Sequence, residues 1–148
     1  MTQEFITYEQ ALALNKLGFN EPCFTTYDDE GRLRNPFDYY RSEHHKRDIS
    51  YIEDSEQFLR NEDLNPESGF ILAPLKQQAF RWFREKHKLW AYNIPYSNEK
   101  YCIEVWRLCE GDDYAKTKED RVIMDSWEEA EQACLDKLIE ICKNKQHE

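Results

Sequence analysis

The chain has 148 residues, 34% of them charged, with 30 Asp and Glu against 20 Lys and Arg and a formal net charge of −10. No stretch approaches the ~18 apolar residues that a membrane span needs, and the net field works against binding nucleic acid or anionic lipid. Eight Phe, four Trp and nine Tyr are more aromatic residues than a chain that stays unfolded carries.

The first predicted element is a helix. Thr7 is a good N-cap with Gln10 three residues on, the spacing of a capping box. Tyr8, Ala11, Leu12 and Leu14 supply its apolar positions, and Leu17-Gly18-Phe19 reads as a stop, with Gly18 left-handed and Phe19 folding back on Leu14. Cys23 to Tyr27 is rich in strand formers, Asp28-Asp29-Glu30-Gly31 is a turn, and Arg32-Leu33-Arg34 returns as a hairpin ended by Asn35-Pro36.

Residues 35–68 are polar and read as an irregular insertion. Ile49, Tyr51 and Ile52 are expected as a short strand, and Asp54 with Gln57 caps an expected short helix through Phe58 and Leu59. Asn65 to Gly69 is a loop.

The strongest helix follows. Pro74 suits its first position, and Leu75, Ala79, Trp82 and Phe83 recur as one buried face. Lys86, His87 and Lys88 in the last turn complement the helix dipole. Leu89 to Ile94 then alternates as a strand with Trp90, Tyr92 and Ile94 on one side. After a loop over 95–100, Tyr101 to Leu108 is the return strand. Arg121 to Met124 is a third. The last helix starts at Asp125-Ser126, with Ser126 and Glu129 or Asp125 and Glu128 as capping box. Its stripe is Trp127, Ala130, Cys134, Leu138 and Ile141, widened by Leu135 and Cys142.

Antiparallel pairs of strands separated by helices define an α+β fold: an antiparallel sheet built from hairpins, packed against two or three amphipathic helices. The length corresponds to a single domain over residues 1–148. The start, Met1-Thr2-Gln3-Glu4, lacks the basic and apolar regions of a signal peptide, so the expected location is cytoplasmic. Five cysteines, Cys23, Cys102, Cys109, Cys134 and Cys142, show no C-x-x-C spacing and read as reduced, buried thiols.

Charge is uneven. Residues 110–131 hold nine acids and three bases, whereas residues 75–90 hold five bases and one acid. A solvated helix face and an acidic loop account for most such patterns; a charged surface that steers a partner is the sharper alternative. Chemistry-bearing patterns are sparse. Glu43-His44-His45 with Asp48 is the nearest approach to a metal set, but adjacent histidines point apart and no H-x-x-x-H is present. Asp112-Asp113 lacks the alternating ligands of a calcium loop. There is no nucleophile elbow, phosphate loop or dinucleotide fingerprint. No catalytic, cofactor-binding or metal-ligating residue is therefore assigned, and no cofactor is expected.

The aromatic residues remain. The predicted hairpin over 89–108 has large apolar side chains on both of its faces, and only one can meet the helices. Trp90, Tyr92, Tyr101 and Trp106 are therefore the candidate partner surface, unless residues 35–68 cover it. The expected partner is a protein, with direct nucleic-acid binding and membrane association both disfavoured.

Three stretches in order, Thr7 to Phe19 (TYEQALALNKLGF), Ala73 to Lys86 (APLKQQAFRWFREK) and Ser126 to Glu131 (SWEEAE), carry a resemblance. The chain resembles a group of small uncharacterised proteins of phages, prophages and mobile elements of Bacteroides-type bacteria. The resemblance spans about a third of the chain, with Gln77 to Lys86 its most specific part. It implies a small accessory protein in a bacterial or phage-infected cytoplasm and transfers no functional residue. Two other readings stand beside it: an acidic nucleic-acid mimic that occupies a DNA-binding enzyme, motivated by residues 110–131, and an enzyme of unrecognised type.

Overall fold

The computed structural model describes residues 4–35, 58–96, 99–108 and 116–146. The fold is α+β, with three α-helices and two three-stranded antiparallel sheets among the described residues. The chain divides into two compact units, one of Phe5–Pro74 and one of Leu75–Glu148 together with Met1–Glu4. Each unit holds one of the sheets.

The Phe5–Pro74 unit begins with α1, Tyr8–Lys16. Its capping box is complete: Gln10 N–H donates to Thr7 Oγ1 at 3.2 Å and Thr7 N–H donates to Gln10 Oε1 at 2.9 Å. Its end is a full Schellman motif. Gly18, at φ 94°, donates to the Asn15 carbonyl, and Phe19 N–H donates to the Leu14 carbonyl at 3.0 Å. Ala11 and Leu14 are buried as the spacing requires, while Tyr8 and Leu12 stay half-buried.

The expected hairpin forms from β1, Thr26–Tyr27, and β2, Leu33–Arg34. It is shorter than the run from Cys23 suggests. Cys23 instead makes an isolated antiparallel bridge to Leu59, with N–H···O distances of 2.8 and 2.6 Å. Phe58 and Leu59 are therefore extended rather than helical, which corrects the expected short helix there. A buried pairing across sequence satisfies both backbone groups of Leu59, and a single local turn offers no such burial. Asn20 and Asn61 tie the same segments together: Asn61 N–H donates to Asn20 Oδ1 at 2.7 Å, and Asn61 Nδ2 donates to the Phe19 carbonyl at 2.9 Å. The expected strand of Ile49, Tyr51 and Ile52, the Asp54–Gln57 cap, and the Glu43-His44-His45-Asp48 group lie outside the described residues.

A third strand, β3, Ile71–Leu72, pairs with β1 and gives the order β2-β1-β3. Tyr27 Oη donates to the Ile6 carbonyl at 2.6 Å, and burial raises its phenol pKa above the ordinary value, with Glu9 adding to the effect. Asp28 organises the hairpin loop. Its Oδ1 accepts from the Glu30 and Arg32 amides, both at 2.9 Å, and its Oδ2 accepts from Arg32 Nε at 2.9 Å and Arg34 Nε at 3.0 Å. Burial alone would raise the Asp28 pKa, but these donors outweigh it and hold the carboxyl at about 2.

In the other unit, α2 is Lys76–His87. Leu75 is its N-cap, so Pro74 lies one residue before the cap and not at the first helical position, and the helix starts two residues later than expected. Ala79, Trp82 and Phe83 are buried, and Leu75 is half-buried. The helix ends at Lys88, at φ 57°, which turns the chain directly into β4, Leu89–Ile94. β5, Tyr101–Leu108, is the central strand, and β6, Lys116–Met124, is longer than the four residues expected. α3, Trp127–Gln146, starts with Glu129 N–H donating to Ser126 Oγ at 3.2 Å. Asp125 is not the cap; it pairs with Lys100. Ala130, Cys134, Leu135, Leu138 and Cys142 are buried as expected. Ile139 joins them, and Trp127 and Ile141 are half-buried, so the stripe is turned slightly from the expected line.

Phe83 is fully buried, and its replacement by Ala leaves a cavity. Phe83→Ala is expected to destabilise the protein by about 3–5 kcal/mol, read as a lowered urea midpoint at unchanged slope. Asp28 gives an acid dependence. Its pKa is depressed in the folded state, so its contribution is complete above the unfolded carboxyl value and is lost as pH falls toward about 2. Asp28→Asn is expected to flatten the stability profile of the protein between pH 4 and about 2, checked by thermal melts across that range.

Candidate functional site

β5 pairs with β4 on one side and β6 on the other, so its alternation sorts side chains of all three strands onto two faces. Odd positions of β5, with their cross-strand partners, define one face: Val105 opposite Ala91 and Asp120, and Ile103 opposite Asn93 and Val122. Here Leu89, Ile103, Val105 and Val122 are buried. This face meets α3, through an edge-to-face contact of Tyr101 with Trp127 at 6.2 Å and an ion pair of Lys137 with Asp120 at 3.4 Å.

Even positions define the face directed away from α3. Trp106 stands opposite Trp90 and Lys118, Glu104 opposite Tyr92 and Arg121, and Cys102 opposite Ile94 and Ile123. The Trp90 and Tyr92 rings stack at 6.0 Å and 12°, and the Arg84 guanidinium lies 5.2 Å from the Trp90 ring centre. Trp90, Tyr92, Ile94 and Trp106 are half-buried, whereas Ile123, Lys118 and Arg121 are exposed.

The structure therefore joins three of the four candidate surface residues and separates the fourth. Trp90, Tyr92 and Trp106 share one face. Tyr101, 43% exposed, belongs to the opposite face beside Trp127. Tyr101 and Trp106 are five positions apart on β5, an odd offset, so the pleat places them on opposite faces.

Glu104 anchors this face and was not singled out from sequence. It is 7% exposed. Its Oε2 accepts from Trp106 Nε1 at 3.0 Å, and its Oε1 accepts from Arg121 Nη2 at 2.5 Å and Nε at 3.1 Å, with Lys118 Nζ 3.3 Å away. The Arg121 guanidinium, against the opposing effect of burial, holds its carboxyl below the ordinary range, helped by Trp106 and Lys118. A bulge sets up this arrangement. The register of β5 and β6 shifts between Val105 and Trp106, so Glu119 is left without a Cα partner. Lys118 then stands opposite Trp106 beside Glu104, while Glu119 reaches Arg107 Nε at 2.7 Å.

The other reactive side chains are chemically quiet. Burial pushes the Cys134 thiol up to about 12, aided by Glu131 and Asp120, and pushes the Cys142 thiol up to about 11. Cys23 and Cys102 are also buried, and Cys109 lies outside the described residues. His87 packs on Trp82 at 4.7 Å, and burial, with Lys145 and Arg107, lowers its pKa. Among the described residues no group of three or more His, Cys, Asp and Glu is placed to hold a metal ion, and no helix is long and apolar enough to cross a membrane. Of the acids in residues 110–131, Glu119, Asp120 and Asp125 are each ion-paired with a base. Glu110, Asp112 and Asp113 lie outside the described residues.

Comparisons with known protein families, with curated proteins and with solved structures return no match.

Burial shields all four of these thiols from reagent, and at the pKa values of Cys134 and Cys142 those two are also almost wholly protonated at neutral pH and react slowly. Iodoacetamide added to the native protein is expected to leave Cys23, Cys102, Cys134 and Cys142 unmodified, with all four alkylated in urea; peptide mass spectrometry reads each site.

Proposed function

We propose that the protein is a small non-enzymatic accessory protein that works by binding a protein partner on the sheet face carrying Trp90, Tyr92 and Trp106. The observation that carries this reading is the side-by-side placement of three half-buried aromatic residues with Arg84, Arg121 and Lys118 around them. Large aromatic rings and Arg are the side chains that supply most binding energy at protein interfaces. The carboxylate of Glu104 is already held by three donors and is permanently ionised near neutrality, so its place in this reading is to lock the face and not to move protons. The inert thiols and the core histidine support the same assignment.

The chemistry of the face selects the partner. Among the described residues, the charges placed beside the aromatic residues are, apart from Glu104, those of Arg84, Lys118 and Arg121, which favours an acidic segment with one or two apolar anchors. The resemblance to phage and mobile-element proteins fits an accessory role in a bacterial cytoplasm.

Arg84→Glu with Tyr92→Ser removes a ring and reverses a charge without touching the Glu104 cluster. A host protein captured in stoichiometric amount by the wild type is expected to bind this variant at least ~30-fold more weakly, the equivalent of a hot-spot loss. The melting temperature should stay unchanged, and Tyr101→Ser on the opposite face should bind normally. Equal binding by the double variant, or loss with Tyr101→Ser alone, would place the partner surface elsewhere.

A further inference from the structure

The sheet of β4, β5 and β6 has two outer edges, and they differ in kind. β6 is guarded. Five of its nine residues, Lys116, Lys118, Glu119, Asp120 and Arg121, are charged, and the bulge opposite Val105 and Trp106 interrupts its run. Charges and bulges are devices by which a sheet edge turns away other strands. β4 has neither: its six residues hold no charge and no proline, and its register with β5 runs without a shift.

One contact fixes the phase of the β4 hydrogen bonds. Leu108 N–H donates to the Lys88 carbonyl at 3.0 Å, so the pairs that exchange bonds between β4 and β5 are Trp90 with Trp106, Tyr92 with Glu104 and Ile94 with Cys102. The N–H and C=O groups of Ala91 and Asn93 therefore point away from β5. Among the described residues no hydrogen bond reaches these four groups. Asn93 is exposed and Ala91 half-buried. Leu89, which is buried, and Pro95, which has no N–H, close the open stretch at either end.

Donors and acceptors at alternate residues fit the backbone of another extended strand, and an antiparallel copy of the same edge is their complement. We propose that the protein forms a two-fold dimer in which β4 pairs with β4 of a second copy about Tyr92, joining the two sheets into one of six strands. Ala91 of each copy exchanges hydrogen bonds with Asn93 of the other, and these four bonds fill every open group. On the aromatic face Tyr92 stands opposite Tyr92 and Trp90 opposite Ile94, the kinds of cross-strand pair that stabilise antiparallel strands. The occupant is a second copy because the edge carries no charge with which to select a foreign sequence, and its pattern is self-complementary. No charged side chain of one β4 meets one of the other, which leaves the net charge of −10 on each copy to act at distances where physiological salt screens it, beyond ~8 Å. The contact uses the same edge on both copies, so it closes at two and leaves the guarded β6 edges outermost. This inference goes beyond the partner reading and does not rest on it: Trp106 on β5 and Arg121 on β6 stay clear of the pairing.

The test measures the mass of the full chain in solution by size-exclusion chromatography with light scattering. The wild type is expected at twice the chain mass at ~100 µM, where even a micromolar dimer is assembled. Asn93→Pro removes an outward donor without touching the bonds to β5. It is expected to weaken the dimer at least tenfold with an unchanged circular dichroism spectrum. Asn93→Lys, which places a charge on the edge, carries the same expectation if Asn93→Pro does not fold. A facing pair that exchanges no hydrogen bond sets its Cα atoms ~4.5 Å apart, within disulfide reach. In a Cys109→Ser background, Tyr92→Cys is therefore expected to form a disulfide between copies under copper phenanthroline, and Ile123→Cys on β6 is expected not to. A wild type that stays at the mass of one chain overturns the proposal and leaves the β4 edge to a strand of another protein. A dimer that survives both Asn93 variants, that fails to cross-link through Tyr92→Cys, or that cross-links equally well through Ile123→Cys overturns it in favour of another interface.

Discussion

The carboxylate of Glu104 sits in the middle of the central strand, where a charge removed from water must be paired or it unfolds the sheet around it. Three donors reach it, two from β6 and one from its own strand. The demand propagates. With regular pairing, Glu119 would stand opposite Trp106, and the face would collect a second acid beside the first. The bulge removes Glu119 from the pairing and brings Lys118 there instead. One extra residue thus sorts the mixed run Lys118-Glu119-Asp120-Arg121 by sign: bases to the face of Glu104, acids to Arg107 and Lys137. Trp106 is oriented by the same carboxylate, so the ring geometry of the proposed binding face depends on a single ionised side chain.

This dependence separates what was legible in the sequence from what was not. The helices were legible because their signals are local. Thr7 with Gln10 and Gly18 with Phe19 act within one turn, and each does in the structure what its spacing requires. β4 and β5 were legible from alternation bounded by turn residues. Of β6 only the end, Arg121 to Met124, was legible, because only Val122 to Met124 is apolar; the rest is mostly charged and is held by cross-strand ion pairs that a single strand does not display. β3 was missed for the opposite reason. Phe70-Ile71-Leu72-Ala73 lies between Gly69 and Pro74, a short apolar run bounded by chain breakers, which is the mark of a buried strand. Its two paired residues are too few for alternation to show.

The candidate surface was half legible. Strand alternation put Trp90 with Tyr92 and put Trp106 on the even positions of β5. Assigning Tyr101 to the same group mixed two parities, and the register resolves it: Tyr101 stands opposite Met124 on the side of α3. Glu104 was present in the even set all along. A carboxylate between Cys102 and Trp106 in a central strand is itself a signal, because an acid at that place demands basic neighbours on the adjacent strand.

The charge of the whole chain then bears on what the face selects. A net −10 repels long polyanions at a distance. At physiological salt that repulsion is screened beyond ~8 Å, so contact is governed by the charges within that radius. Among the described residues, those placed beside Trp90 and Trp106 are Arg84, Lys118 and Arg121, with the carboxylate of Glu104 held by Lys118, Arg121 and Trp106. A duplex or a long RNA must cross the negative surroundings over many charge spacings to reach so small a basic patch, and gains few phosphate contacts on arrival. A short acidic segment of a protein meets the patch alone. Its apolar residues can occupy the spaces beside the stacked rings of Trp90 and Tyr92, where most of the binding energy is available. Under the proposed function, local positive charge within a negative whole would act as a filter on partner size, with a protein tail or loop passing it more readily than a nucleic acid.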